Sequence, residues 1–249
     1  MFLLLTAGVA AGITGSVAGL ASLFSYPALL AVGLPATTAN VTNTVAMTIS
    51  SVGATLGSRP ELTGQAPVLR RYALLALAGG ATGAGLLLVT PPGTFEKIVP
   101  VLVGGAAVVL LLQPWIRPAG LVDAGDGAST SAPVITAGVL AVTIYGGYFG
   151  AAAGVLMLAL LLVGLPVSLL QGNAIKNVLL GLSNAAAAIG FAVLTPVQWW
   201  AVAPLAVGLL AGSFTGPALA RRVPTIVLRT AIGVAGLGLA VVLAVEAWQ

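Results

Sequence analysis

Long apolar stretches occupy nearly the whole of this chain, and short polar breaks divide them into eight segments. Each segment is long enough to cross a bilayer, whose hydrocarbon core needs about 20 apolar residues per helix. Only 6% of the 249 residues are charged, whereas a soluble domain carries roughly a quarter. We therefore predict an all-α polytopic membrane protein. The segments cover approximately residues 2–34, 36–57, 68–89, 95–115, 134–165, 167–190, 197–220 and 225–247.

Two residue types that often carry chemistry, cysteine and histidine, do not occur in the chain. The chain therefore lacks disulfides, thiolate nucleophiles, imidazole bases and the usual ligands of soft metals. We expect no enzyme activity, no metal site and no cofactor. The net charge of +4 lies mostly in loops, so it indicates topology in a lipid bilayer rather than a nucleic-acid surface.

The two halves of the chain repeat each other. The motif Val-Gly-Leu-Pro at 32–35 recurs at 163–166, and internal repeats are typical of transporter folds. Chance similarity between apolar helices is disfavoured, because the matches include polar residues and stay in order. We divide the chain into a first repeat at 1–116, a linker at 117–132 and a second repeat at 133–249. With two extra residues in the second copy, the aligned pairs are Asn40 with Asn173, Asn43 with Lys176, Thr44 with Asn177, Ser50 with Ser183, Ser51 with Asn184 and Gly57 with Gly190.

Each copy opens with an unusually long apolar segment of roughly 33 residues, about 50 Å as one helix. That length exceeds the ~30 Å core of a bilayer, and glycines interrupt both segments. We predict a helix–break–helix hairpin in each copy, either re-entrant or made of two short spans. The interrupting glycines are Gly12, Gly15 and Gly19 in the first copy and Gly146, Gly147, Gly150 and Gly154 in the second.

The hairpin breaks are candidate anion-binding elements. A half-helix N-terminus presents free N–H groups and the positive end of a dipole, which attract anions. The candidates are Gly15 and Ser16 in the first copy and Gly147 and Tyr148 in the second. The alternative is that these glycines only permit close helix packing. Packing is the predicted role of the glycines at four-residue spacing, which are Gly79, Gly83, Gly208, Gly212 and Gly216.

The distribution of charge predicts how the two copies are oriented. If each broken segment crosses once, the repeats are parallel and the cationic residues outside the sixth segment divide evenly between the two sides. If each broken segment returns to its starting side, the repeats are inverted and only Lys97 is separated from the arginines. The positive-inside rule favours the second arrangement. We predict an inverted repeat in the cytoplasmic membrane, both termini outside, with these residues inside: Arg59, Arg70, Arg71, Arg117, Arg221, Arg222 and Arg229.

Lys176 stands near the middle of the sixth apolar segment. A cation at that depth is costly, so such residues usually face a cavity or a partner. No acidic residue lies at comparable depth, because the glutamates are at segment ends and the aspartates are in the linker. We therefore predict that the counter-ion of Lys176 is the substrate, a small anion. The alternative is a lysine hydrogen-bonded to backbone carbonyls or snorkelling to an interface.

Polar side chains accompany Lys176 on one helical face and recur at the aligned positions of the first copy. Amide and hydroxyl donors near the midplane of a repeat pair suit oxyanions. Interhelical hydrogen bonding is the alternative for any one of them, but the match between the copies favours a binding site. The predicted residues are Lys176, Asn173, Asn177 and Asn184 in the second copy and Asn40, Asn43, Thr44 and Ser51 in the first.

Several motifs carry a resemblance to a known family. They are Asn173-Ala174-Ile175-Lys176-Asn177, Val197-Gln198-Trp199, and the stretch from Gly212 to Gly216 followed by Arg221. With the two four-segment halves and the Gly-Leu-Pro before a polar helix start, they resemble the sulfite exporter TauE/SafE family over nearly the whole chain. The resemblance implies transport of sulfite or organosulfonates such as sulfoacetate, with uptake permeases among the members.

These observations together predict a secondary transporter that exports a small sulfur oxyanion or organosulfonate. Lys176 would neutralise the anion, while the Asn and Thr residues and the hairpin breaks donate hydrogen bonds. An anion channel or an uptake permease for another small anion could use the same residues. A membrane subunit without transport activity is a further alternative.

Overall fold

The computed structural model describes residues 1–91, 93–116 and 132–220, together with 234, 237–238 and 240–245. Every regular element in these residues is a helix, so the all-α prediction is confirmed. Most of the predicted linker and of the eighth segment lies outside the described residues, with four of the predicted inside arginines (117, 221, 222 and 229). The helices are α1 (Phe2–Ala18), α2 (Ser22–Ala31), α3 (Ala36–Gly57), α4 (Arg59–Leu62), α5 (Ala66–Val89), α6 (Thr94–Ile116), α7 (Ala132–Tyr148), α8 (Ala153–Gly164), α9 (Leu169–Leu194) and α10 (Trp199–Ala220).

The helices have the length and the outer surface of membrane spans. Among the described residues, α5, α9 and residues 199–216 of α10 are long and apolar enough to cross a bilayer. Large apolar side chains point outward, and Leu74, Val89 and Val193 are each about three-quarters exposed. Water would make such a surface an aggregation liability, whereas lipid tails solvate it. The chain is a polytopic membrane protein.

Both predicted helix–break–helix elements are present, and each break is set by one glycine in the left-handed backbone region. The return of each element to its starting side stays a prediction. Gly19 ends α1 with φ of 76°, and α2 begins three residues later. Gly150 has the same φ of 76°, and Ala152 with φ of 55° follows it before α8. Only glycine adopts this conformation without steric cost, which is why it so often ends a helix. The prediction that Gly12, Gly15, Gly146, Gly147 and Gly154 also interrupt the helices is wrong, since all five lie inside them.

The two halves of the chain are interlocked. The first half-helix of each copy packs along a helix of the other copy, α1 along α10 and α7 along α5. Helices α3 and α9 pack against each other, and they also contact α10 and α5 respectively. Exchanging the two copies leaves this pattern of partners unchanged, as expected of a duplicated unit. The inverted orientation of the copies and the domain boundaries stay predictions.

Glycines at four-residue spacing allow these helices to touch backbone to backbone, as predicted. A Cβ on Gly8 would lie 3.0 Å from the Leu209 nitrogen of α10, and one on Gly212 would lie 3.0 Å from the Ile13 nitrogen of α1. On the other side, Gly83 of α5 meets the backbone of α7 between residues 144 and 148. Such close approach is what drives helix association in lipid, where apolar burial gives no net gain.

Two neighbouring glycines of α5 provide a matched test of this packing. A Cβ at Gly83 would lie 2.7 Å from the Tyr148 nitrogen, whereas Gly85 has nothing within 4 Å. We expect Gly83→Ala to destabilise the protein by about 1–3 kcal/mol through overpacking. Gly85→Ala should be neutral or stabilising by up to ~1 kcal/mol, because alanine is the better helix former. Thermal unfolding in detergent measures both, and equal midpoints would contradict the packing role of Gly83.

Single cysteines test the orientation of the copies, because the natural chain contains none. Arg59 of α4 and Pro196 before α10 are both exposed. The inverted arrangement places these two residues on opposite sides of the membrane, and the parallel arrangement places them on the same side. We expect a membrane-impermeant maleimide to label Pro196→Cys in intact cells and Arg59→Cys only after permeabilisation. Labelling of both in intact cells would refute the inverted repeat.

Candidate anion-binding site

The breaks of the two hairpins meet each other inside the bundle. A Cβ on Gly19 would lie 2.5 Å from the Gly154 Cα, so only glycine fits at this contact. Beside it, a cavity of about 50 Å³ opens between the two breaks, the middle of α3 and the middle of α9. The fold thus brings the breaks of both copies and the polar helix of each copy to one place.

The cavity is lined by neutral polar groups and by one positively charged side chain. Of the described residues around it, Lys176 alone is charged, and none is a carboxylate. Glycine backbone from both hairpins forms much of the remaining wall. The polar side chains that line it are Ser16, Ser22, Thr44, Ser50, Ser51, Lys176, Asn177 and Asn184.

Lys176 is held by the end of a broken helix. The side chain is only 1% exposed, and its Nζ donates to the Gly15 carbonyl oxygen at 3.1 Å and to Asn173 Oδ1 at 2.7 Å. Gly15 lies in the last turn of α1, where the helix dipole is negative and favours a cation. An ammonium has three hydrogens, and these two acceptors use two of them. The alternative interpretation of Lys176, a hydrogen bond to a backbone carbonyl, is therefore present in the structure. It leaves the third ammonium hydrogen for a ligand in the cavity.

Asparagines of α3 and α9 bind the ends of the opposite copy's broken helix in the same way. Asn173 Nδ2 donates to the Ser16 carbonyl oxygen at 2.6 Å, and Asn177 Nδ2 donates to the same oxygen at 3.3 Å. In the first copy, Asn40 Nδ2 donates to the Tyr148 carbonyl oxygen at 2.8 Å. Carbonyls of the last helical turn have no partner within the helix. These amides therefore complete the backbone hydrogen bonding of both breaks.

The polarity predicted for the hairpin breaks is wrong. Gly15 and Ser16 lie in the last turn of α1, and Gly147 and Tyr148 lie in the last turn of α7. They present carbonyl oxygens rather than N–H groups, and the new N-termini begin at Ser22 and Ala153 instead. The physical reason is that a left-handed glycine closes the helix that precedes it. Glycine spacing in the sequence marks the break but does not say which side of it faces the cavity.

The structure separates the twelve predicted site residues into two groups. Seven line the cavity: Lys176, Asn177, Asn184, Thr44, Ser51, Gly15 and Ser16. The other five lie behind it: Asn173, Asn40, Asn43, Gly147 and Tyr148. Binding of a ligand by any of them stays a prediction.

The lining residues that were not predicted to belong to the site include Ser22, Met47 and Ser50. Ser50 carried a usable signal, since it aligns with Ser183 between the copies. Ser183 itself turns away and donates to the Thr143 carbonyl oxygen at 3.0 Å. The alignment therefore identifies Ser50 and Ser183 as a matched pair, but it does not predict which of the two serines faces the cavity.

Comparison with protein families gives one match that covers nearly the whole chain. The family model described as "Sulfite exporter TauE/SafE" matches residues 4–243. No curated protein and no solved structure matches the chain. The match spans both copies, including the cavity residues of each.

Asn173 is expected to be essential because it serves both Lys176 and the end of α1. Asn173→Leu removes one of the two acceptors of a buried ammonium, and losing a hydrogen bond to a charged group typically costs about 1.5–3 kcal/mol of folding free energy. The double variant Asn173→Leu/Lys176→Met should regain part of that loss, because the buried charge is gone. Thermal unfolding in detergent measures both variants. A double variant less stable than the single one would contradict this account of Asn173.

Proposed function

The chain belongs to the sulfite exporter TauE/SafE family, whose members are membrane transporters of sulfite and related sulfur anions, and we propose that it exports a small sulfur oxyanion such as sulfite across the cytoplasmic membrane. Lys176 carries this proposal, because it is the one charged side chain among the described residues of the cavity and it retains a free donor. A dianion or monoanion in the cavity would supply the counter-charge that the surrounding residues lack.

The lining groups match the surface of an oxyanion. Hydroxyls of Ser22, Ser50 and Thr44 and the amides of Asn177 and Asn184 stand around the cavity. Ser50, Asn177 and Asn184 can each donate a hydrogen bond to a ligand, and oxyanions accept several at once. The Thr44 and Ser22 hydroxyls donate to the Asn40 carbonyl oxygen and to Met47 Sδ in this structure, so they would have to rotate to donate to an anion. Charge-assisted bonds from an ammonium are roughly twice as strong as neutral ones. Lys176 therefore supplies most of the attraction, and the neutral donors select for shape.

The size of the cavity favours an inorganic oxyanion over an organosulfonate. One water occupies about 10–15 Å³ measured in the same way, so a cavity of about 50 Å³ has room for roughly four water-sized atoms. Sulfite consists of one sulfur and three oxygens. Sulfoacetate has twice as many heavy atoms and would require the helices around the cavity to separate. The preferred substrate is therefore sulfite or an anion of similar size.

Alternating access would come from motion at the contact between the two copies. The cavity wall consists of parts of both copies, held by hydrogen bonds from Asn173 and Asn40 to the opposite hairpin. Rocking one copy against the other would break and remake these bonds while the cavity opens to one side. An inside-negative potential drives anions outward with about 2.3 kcal/mol per charge per 100 mV. Export therefore needs no coupled ion.

Ligand-induced stabilisation tests the substrate and the role of Lys176 together. Sulfite should raise the unfolding temperature of the purified protein more than sulfate, thiosulfate, taurine or sulfoacetate, with about 2.7 kcal/mol of stabilisation at one hundred times the dissociation constant. Lys176→Ala should remove the response to sulfite. Lys97→Ala, which removes an exposed lysine, is the matched control and should keep it. An unchanged sulfite response in Lys176→Ala would sink the assigned role.

Flux measurements in liposomes separate a carrier from a channel. A carrier should show saturable sulfite flux and counterflow, since each turnover carries a bound anion through the membrane. Flux that rises without saturation would indicate a channel built on the same cavity. No movement of any of the five compounds would instead indicate a membrane subunit without transport activity.

A further inference from the structure

Two side-chain oxygens of α3 are buried without a hydrogen-bond partner. Asn40 and Asn43 are each 1% exposed, and within the described part of the chain the Oδ1 of each has no donor. An unsatisfied buried amide oxygen typically costs about 1–3 kcal/mol. Such groups are rare in folded proteins and usually mark an ion or a water. The two residues are three apart on one helix, so their side chains are neighbours.

The second copy shows what these oxygens lack. There, Asn173 uses its Nδ2 to bind the end of α1 and its Oδ1 to accept from Lys176 Nζ at 2.7 Å. In the first copy, Asn40 uses its Nδ2 for the end of α7 in the same way. Its Oδ1 has no donor, because the position of Lys176 is taken by the neutral Asn43. A positive charge is thus present in one copy and missing at the equivalent place in the other.

The orientation of the Asn40 amide is fixed by its partner. Its nitrogen lies 2.8 Å from the Tyr148 carbonyl oxygen, which can only accept. A flipped amide would place two oxygens against each other, so Oδ1 must point away from α7. The unpartnered oxygen of Asn40 is therefore a property of the fold and not of the amide assignment.

The electrostatic surroundings also favour a cation. The C-terminal end of α7, where Tyr148 lies, carries the negative end of the helix dipole. Asn43 Nδ2 lies 3.5 Å from Ser22 Oγ, which brings a hydroxyl oxygen close to the pair. The described side chains and carbonyls that hydrogen-bond to the two asparagines belong to Ser22, Thr44, Met47 and Tyr148, and none is a carboxylate. Divalent Ca²⁺ and Mg²⁺ depend on carboxylates, so neutral oxygens point to a monovalent ion.

We propose that a monovalent metal cation, with Na⁺ as the expected ion, binds between Asn40 Oδ1 and Asn43 Oδ1 beside the end of α7. It occupies in the first copy the place that the Lys176 ammonium occupies in the second. Both copies then carry one positive charge against the carbonyl end of the opposite broken helix. The two copies then carry the same charge at this place. In the second copy the charge belongs to the Lys176 side chain, and in the first it belongs to the bound cation.

This cation would also contribute to the cavity. Thr44 lines the cavity, follows Asn43 directly and donates to the Asn40 carbonyl oxygen at 3.0 Å. Ser22 lines the cavity as well and lies next to the Asn43 amide. A cation bound behind these two hydroxyls makes the electrostatic potential more positive at the first copy's wall of the cavity, whereas Lys176 does so at the second copy's wall. A cation that stays bound through the cycle moves no charge, so the proposed direction of export is unaffected.

Sodium titration without sulfite tests the site directly. The unfolding temperature of the purified protein should rise with Na⁺ and reach a plateau, while choline at the same ionic strength has no effect. Asn43→Lys copies the residue found in the second copy and should be insensitive to Na⁺, with a midpoint near that of the Na⁺-saturated natural protein. Thr48→Val, on the same helix and outside the cavity lining, should keep the full response. Binding of radioactive ²²Na⁺ should follow the same order.

The outcomes are distinguishable from those of the sulfite experiment. A saturable response to K⁺ in place of Na⁺ supports the site and identifies its ion. Equal midpoints in Na⁺, K⁺ and choline overturn the proposal and leave water as the occupant. If Asn43→Lys fails to fold, Asn43→Leu takes its place, and retention of the Na⁺ response in that variant overturns the proposal. The Na⁺ response should persist in Lys176→Ala, where the sulfite response is expected to be lost.

Discussion

The carbonyl ends of two broken helices have to be satisfied inside a protein that lies in lipid, and the rest of the structure follows from that need. A backbone group without a partner is far more costly in hydrocarbon than in water. The breaks at Gly19 and Gly150 expose such groups in the middle of the bundle. Side chains from the opposite copy reach them, with Asn173 and Lys176 at the end of α1 and Asn40 at the end of α7. The two copies therefore complete each other.

This mutual completion also places the cavity. Because each broken helix packs along a helix of the other copy, α1 on α10 and α7 on α5, the two breaks converge at the centre. Gly19 and Gly154 then meet without side chains between them. The polar groups that satisfy the breaks necessarily surround the point of convergence. Lys176 and Asn177 both line the cavity and donate to the end of α1, so in the proposed function the same two side chains would bind the anion and satisfy the break.

Among the aligned polar pairs, the difference in charge between the copies lies at one position. Asn43 and Lys176 stand at equivalent places, yet Lys176 Nζ has two acceptors among its neighbours while the Asn43 Oδ1 has no described donor. A single charge in a bundle of neutral donors gives the cavity its sign. The neutral copy supplies hydroxyls such as Thr44 and Ser51. In the proposed function, selection for charge and selection for shape would therefore be divided between the two halves.

The amino-acid sequence by itself determined the class of protein, the two broken helices and the presence of a buried lysine, because these depend on composition and on the length of the apolar segments. It also predicts the duplication, through the alignment of the copies. It could not determine that Gly15 and Ser16 present carbonyls, that Asn173 acts behind Lys176, or that Ser22 and Ser50 face the cavity. Those facts depend on which helix end meets which neighbour. Contacts between residues more than 150 positions apart fix that choice, and only the packing of glycine faces in the tertiary structure brings them together.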